Sequence, residues 1–275
     1  MKHYMKKSFT GILCMLSLGM AAMAQKHMEQ VQVEVAPRFK KGALLQLPDD
    51  YAQNPKKRYP LIIFLHGRSR SGEDLSKLTY DGIPYLLDKG VSLNTVNPAD
   101  GKTYKFIIIM PQAEFWGLRP DNITAVMNDI ERQYRVDTTR VYLTGYSAGG
   151  SGTFTALTDN AALTRRFAAA VPMSPTTLND ENIARLKMIA DGNVGIWAFA
   201  GKGELRFLMD TRRYVDSVKK YNDSLAIITV HDGGHCCFKQ FYDPGYKMNG
   251  LNIYEWMLQH KRTVSAAVAN KKTHI

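Results

Sequence analysis

Two stretches of the chain are apolar at every position: Leu61-Ile62-Ile63-Phe64-Leu65 and Phe106-Ile107-Ile108-Ile109-Met110. A strand with one wet face alternates apolar and polar residues, so an unbroken apolar run predicts a strand covered on both faces. Val141-Tyr142-Leu143-Thr144, Ala168-Ala169-Ala170-Val171-Pro172, Ile196-Trp197-Ala198-Phe199 and the run 225–230 predict further strands, with residues 43–47 as an outer one. Between these runs the period changes. Ile123, Val126, Met127, Ile130 and Tyr134 share one helical face behind Asp121, a good N-cap residue. Helices are also predicted from Ala148 to about Leu157, over 208–221 and over 251–258. Short apolar runs alternating with amphipathic segments give an α/β class, a mostly parallel central sheet flanked by helices on both faces.

The first residues break this pattern. Lys2, Lys6 and Lys7 precede a mostly apolar stretch over 9–22, and Ala22-Met23-Ala24 places small residues where a signal peptidase reads. This predicts a signal peptide over 1–24, cleavage after Ala24, and a secreted or periplasmic protein. The apolar stretch is shorter than the roughly 20 residues a spanning helix needs. No other stretch is long and apolar enough, so no stable membrane insertion is expected. Residues 25–42 read as a polar lead-in, 43–262 as the catalytic domain and 263–275 as a polar tail.

Charge changes the picture little. The formal net charge of +11 becomes +8 when three lysines leave with the signal. The remaining basic residues are scattered, with no basic run or interleaved aromatics, so a nucleic-acid partner is not expected. Cys236 and Cys237 are neighbours. A bond between adjacent cysteines is strained, so they are read as pocket-lining or buried thiols. With His231 and His235 they match no standard zinc spacing, and no metal or cofactor is called for. The sequence sets no oligomeric state.

The chemistry centres on Gly145-Tyr146-Ser147-Ala148-Gly149, a G-x-S-x-G elbow. It follows a predicted strand and opens a predicted helix. That turn exposes the serine Oγ, and side chains at the flanking glycines would meet neighbouring backbone. In such folds an acid and then a histidine follow the serine along the chain. Of the four histidines after Ser147, His274 lies in the tail and His260 at a helix end. His231 directly follows a strand and reads as structural, while His235, in Asp232-Gly233-Gly234-His235, is the expected base. Glu204, in the loop after 196–199, is the expected acid, with Asp210 and Asp232 as alternatives. The oxyanion donors are expected to be the N–H of Ala148 and that of Arg68 in His66-Gly67-Arg68, with Gly67 as the fallback. His66 comes too early in that loop to be the base.

Several separated segments together resemble the α/β-hydrolase esterases related to polyhydroxybutyrate depolymerases and feruloyl esterases. They are residues 60–67 with Gly72-Glu73-Asp74, Pro111-Gln112 with Trp116, residues 136–150, Ile196-Trp197-Ala198-Phe199, the Gly-Gly-His235 loop and Tyr254-Glu255-Trp256-Met257-Leu258. The likeness covers roughly 43–260. It implies an α/β-hydrolase fold without a large cap domain, with the nucleophile at Ser147 and the base at His235. One departure stands out: Ala200 and Glu204 occupy positions where that family usually has a histidine and an aspartate.

The expected activity is cleavage of carboxylic esters through an acyl-enzyme, with acetyl or feruloyl esters of polysaccharides or short hydroxyacid esters as substrates. Trp116, Gln112 and Phe238 are expected in the substrate pocket. Two alternatives stand beside it. One is a small prolyl-oligopeptidase-like peptidase, disfavoured because those enzymes carry a propeller or cap for which these residues leave no room. The other is a non-catalytic α/β-hydrolase domain that binds glycan or protein.

Overall fold

The computed structural model describes residues 28–263. The expected signal segment and the tail beyond 263 lie outside them. Eight strands form one sheet: β1 (Glu29–Ala36), β2 (Phe39–Gln46), β3 (Tyr59–Leu65), β4 (Ile107–Pro111), β5 (Val136–Tyr146), β6 (Ala169–Met173), β7 (Gly195–Gly201) and β8 (Ala226–His231). Their spatial order is β1-β2-β4-β3-β5-β6-β7-β8. β1 and β2 pair antiparallel with each other, as do β2 and β4. Every pairing from β4 to β8 is parallel.

The unbroken apolar runs have the predicted cause. Leu61, Ile63 and Leu65 belong to the core on one side of the sheet, Ile62 and Phe64 to the core on the other. Ile107 and Ile109 likewise part from Ile108 and Met110. Both faces of the central strands are therefore dry.

The domain begins earlier than expected. The presumed lead-in holds all of β1 and the start of β2. Val31, Val33 and Val35 alternate with polar residues, a period-two signal of an edge strand with one wet face. Asp121 is not the N-cap of its helix either. Helix α1 (Pro120–Gln133) is capped at Arg119, whose N–H donates to Asn122 Oδ1 at 3.1 Å. Pro120 occupies the first helical position, where its missing N–H costs nothing.

Helix α2 (Ala148–Leu157) shows no amphipathic stripe because it is buried almost all round, including Ala148, Gly149, Gly150, Thr153 and Phe154. Helix α3 spans Leu205–Lys219, three residues earlier than predicted at its start. Two short helices, α4 (Phe238–Tyr242) and α5 (Ile253–Leu258), complete what positions the site. Among the described residues no helix is long and apolar enough to cross a membrane.

Candidate active site

Three loops at the carboxyl ends of β5, β7 and β8 converge. Ser147 sits between β5 and α2 with φ 55° and ψ −119°, a conformation L-residues rarely adopt. It is held by bonds on both sides: Ser147 N–H donates to Met173 O, and Ser151 N–H donates to Ser147 O, each at 2.9 Å. The flanking glycines are there for space. A Cβ on Gly145 would lie 2.6 Å from the Leu65 carbonyl oxygen, and one on Gly149 would overlap that same carbonyl. Any side chain at either position would push β5 or α2 off β3, so the turn is over-determined by its surroundings.

The loops after β7 and β8 are laced together. Lys202 N–H donates to His231 O at 2.8 Å and Gly203 N–H to Gly233 O at 3.0 Å. This lacing brings Glu204 to His235. His235 Nδ1 lies 2.5 Å from Glu204 Oε2, and His235 Nε2 lies 2.8 Å from Ser147 Oγ. With the ionised carboxylate able only to accept, the ring proton belongs on Nδ1, and Nε2 accepts from the serine hydroxyl. The other Glu204 oxygen accepts from Ser174 Oγ at 2.5 Å and from Gly201 N–H at 2.6 Å. Glu204 is 7% exposed, so its charge is compensated by three donors rather than by water. The imidazole is also packed: Phe207 stacks on it at 4.2 Å and Phe238 meets it edge-on at 5.3 Å.

The rival acids stand elsewhere. Asp210, within α3, accepts from Thr176 Oγ1 at 2.5 Å. Asp232 is 91% exposed at its side chain and pairs with Lys202 at 2.5 Å. His231 is only half-satisfied. Its Nδ1 accepts from Gly233 N–H at 3.1 Å, while its buried Nε2 has no partner among the described residues. Burial holds its pKa below the ordinary histidine value.

Ala148 is the first residue of α2, so its N–H has no intrahelical acceptor and adjoins Ser147. Arg68 is likewise the first residue of a short 3₁₀ turn, Arg68–Arg70, after Gly67. His66 braces that turn from below. Its Nε2 accepts from Ala113 N–H and its Nδ1 donates to Gly67 O, both at 2.8 Å. Burial lowers the pKa of His66, which keeps the ring neutral as this bonding requires.

A cavity of about 690 Å³ opens over Ser147 and His235. Phe238, Tyr146, Cys236 and Cys237 form one part of its wall, and Arg68, Arg70 and Asp81 another. Gln112 does not line this cavity. It is 2% exposed, and its Nε2 donates to Arg70 O at 2.8 Å and Asp74 O at 2.9 Å, which makes it a strut under the Arg68–Arg70 turn. Trp116 lies outside the cavity wall, half-exposed, with the Arg68 guanidinium 5.0 Å above its ring. Cys236 and Cys237 line the cavity, one of the two places expected for them, but they are exposed and joined by a disulfide rather than free thiols. Cys237, the second of the pair, has a left-handed backbone (φ 70°).

Sequence reasoning missed three contributors. Ser174 has φ 46° just after β6, and Ser-Pro following a strand was the only available signal. Phe207 sits in α3 without a motif. Asp81 caps the next helix, accepting from Gly82 N–H at 2.8 Å and Lys239 N–H at 3.1 Å.

No family model matches the sequence, and no curated protein matches it. Solved structures do match. A thermostable esterase aligns over 86% of this chain and 63% of its own length, with a TM-score of 0.63 and 20% identity. This chain therefore spans less than two thirds of that esterase. FphF, a fluorophosphonate-binding serine hydrolase of Staphylococcus aureus, aligns over 85% of this chain and 99% of its own (TM-score 0.57, 17% identity). A ferulic acid esterase aligns over 76% and 92% (TM-score 0.53, 17% identity). Together with the strand order and the elbow, these likenesses define an α/β-hydrolase fold.

Proposed function

We propose that the protein is an exported serine hydrolase of carboxylic esters, with Ser147, His235 and Glu204 as its catalytic triad. The observation that carries this reading is the continuous hydrogen-bonded run from Glu204 through His235 to Ser147 Oγ. His235 Nε2 takes the hydroxyl proton as Ser147 Oγ attacks the ester carbonyl. Charge collecting on the carbonyl oxygen meets the N–H groups of Ala148 and Arg68, fixed in place by their helical turns before the reaction begins. The imidazolium formed is stabilised by the buried Glu204 carboxylate and passes its proton to the departing alkoxide. Water, activated by the same imidazole, then releases the acyl group from Ser147. Acetyl or feruloyl esters of polysaccharides and short hydroxyacid esters are the substrate classes considered first.

Hydrolysis of p-nitrophenyl esters of graded chain length tests this. Turnover by the wild type, lost in Ser147→Ala, is expected. Cleavage of peptide amides far faster than esters would move the protein to the peptidases. No turnover of either would leave a binding domain.

A further inference from the structure

We infer that the Ser147 cavity selects esters that carry a carboxylate, held by the Arg68–Arg70 turn; the inference rests on the ester-hydrolase reading above. Arg68 and Arg70 both line one cavity, and among the described residues neither forms an ion pair. Arg70 Nε is buried without a hydrogen bond of good geometry, and the Tyr146 hydroxyl lies beside this side chain. Among the described residues Asp81 is the only carboxylate in the wall, and one of its oxygens already accepts from Gly82 and Lys239 N–H groups. Two arginines against one carboxylate leave the wall an excess of positive charge.

The cationic side is also ordered in advance. Arg70 N–H donates to Gly67 O at 2.9 Å, Ser71 N–H donates to Arg68 O at 3.0 Å, and Gln112 holds Arg70 O. The Arg68 guanidinium rests over Trp116 and that of Arg70 over Tyr80, at 5.0 and 5.5 Å from the ring centroids. A planar guanidinium fork matches a carboxylate's two oxygens, which a lysine does not. The same turn offers the Arg68 N–H to the ester carbonyl, so the carboxylate would lie on the same side of the substrate as that oxygen. Phe238 and the Cys236–Cys237 disulfide also line the cavity and suit the substrate's apolar part.

The test compares kcat/KM for matched pairs. p-Nitrophenyl hemiglutarate against p-nitrophenyl pentanoate places the carboxylate on the acyl part. O-butyryl-3-hydroxybutyrate against its methyl ester places it on the alcohol part. At least a tenfold preference for the carboxylate is expected in one pair at low salt, shrinking as salt is raised. The ratio should fall at least tenfold in Arg70→Gln. Equal or better turnover of the neutral partner in both pairs, or a ratio untouched by Arg70→Gln, would overturn the inference. Calorimetric binding of monomethyl glutarate to Ser147→Ala, weakened in Ser147→Ala with Arg70→Gln, reads the arginine site without turnover. Loss of all hydrolysis with that binding intact would strike the hydrolase reading alone. Absence of binding would strike the arginine site.

Discussion

Ser174 Oγ donates to Glu204 Oε1 at 2.5 Å, while Glu204 Oε2 faces His235 Nδ1. The acid is thus gripped from behind by β6 while it orients the imidazole in front. Ser174→Ala removes one of three donors and leaves Gly201 N–H in place. A hydrogen bond to a charged group is worth about 1.5–3 kcal/mol, so kcat is expected to fall roughly ten- to a hundredfold while the fold persists. Steady-state kinetics alongside circular dichroism checks this. An unchanged kcat would remove Ser174 from the positioning shell.

The three carboxylates near the site should separate sharply. Glu204→Gln keeps the shape but can offer its NH₂ to Nδ1, favouring the wrong tautomer; a loss of about 10³–10⁴ in kcat is expected. Asp210→Asn and Asp232→Asn should stay within about threefold of wild type, because a carboxylate bonded to Thr176 and one salt-bridged in solvent do not touch the ring. Parallel kinetics of the three variants decides the acid.

Acid should destabilise the protein before the carboxylates titrate. Burial lowers the pKa of His66 and of His260 below the ordinary value of 6.5. Each binds its proton more readily in the unfolded chain, so the unfolded state holds more protons just below 6.5 and stability falls as pH falls. Above 6.5 the contribution is complete. Thermal unfolding followed from pH 7.5 to 5 should show Tm dropping across this window. His66→Gln should flatten the drop, although it also weakens the loop.

The disulfide next to the base predicts redox sensitivity. The Cys236–Cys237 bond restricts the backbone immediately after His235, and disulfides are favoured in the oxidising compartment that the proposed export implies. Reduction by a phosphine should lower kcat about three- to tenfold by loosening the loop, with little change in far-ultraviolet circular dichroism. An unchanged kcat would mean that the bonds from Lys202 and Gly203 hold the loop unaided.

Much of this was legible in the sequence because strong local constraints produced it. The runs at 61–65 and 107–110 are apolar since both faces are covered, and the elbow's glycines answer to the Leu65 carbonyl. β1 was overlooked because an edge strand with one wet face reads as polar, despite Val31, Val33 and Val35. Gln112 and Trp116 follow a strand end and so read as candidate pocket linings, yet their places depend on how a loop folds back, which no periodicity encodes. Ser174 and Phe207 meet Glu204 and His235 only through tertiary packing. The adjacency of the cysteines speaks against a bond between them, and no local pattern announces the left-handed backbone of Cys237.

The central claim is that Ser147 is a nucleophile activated by His235. Incubation with a fluorophosphonate, followed by peptide mass mapping, tests it most directly. A single phosphonate adduct on Ser147 is expected in the wild type, formed far more slowly in His235→Ala. No adduct on Ser147 in folded wild-type protein would contradict the account.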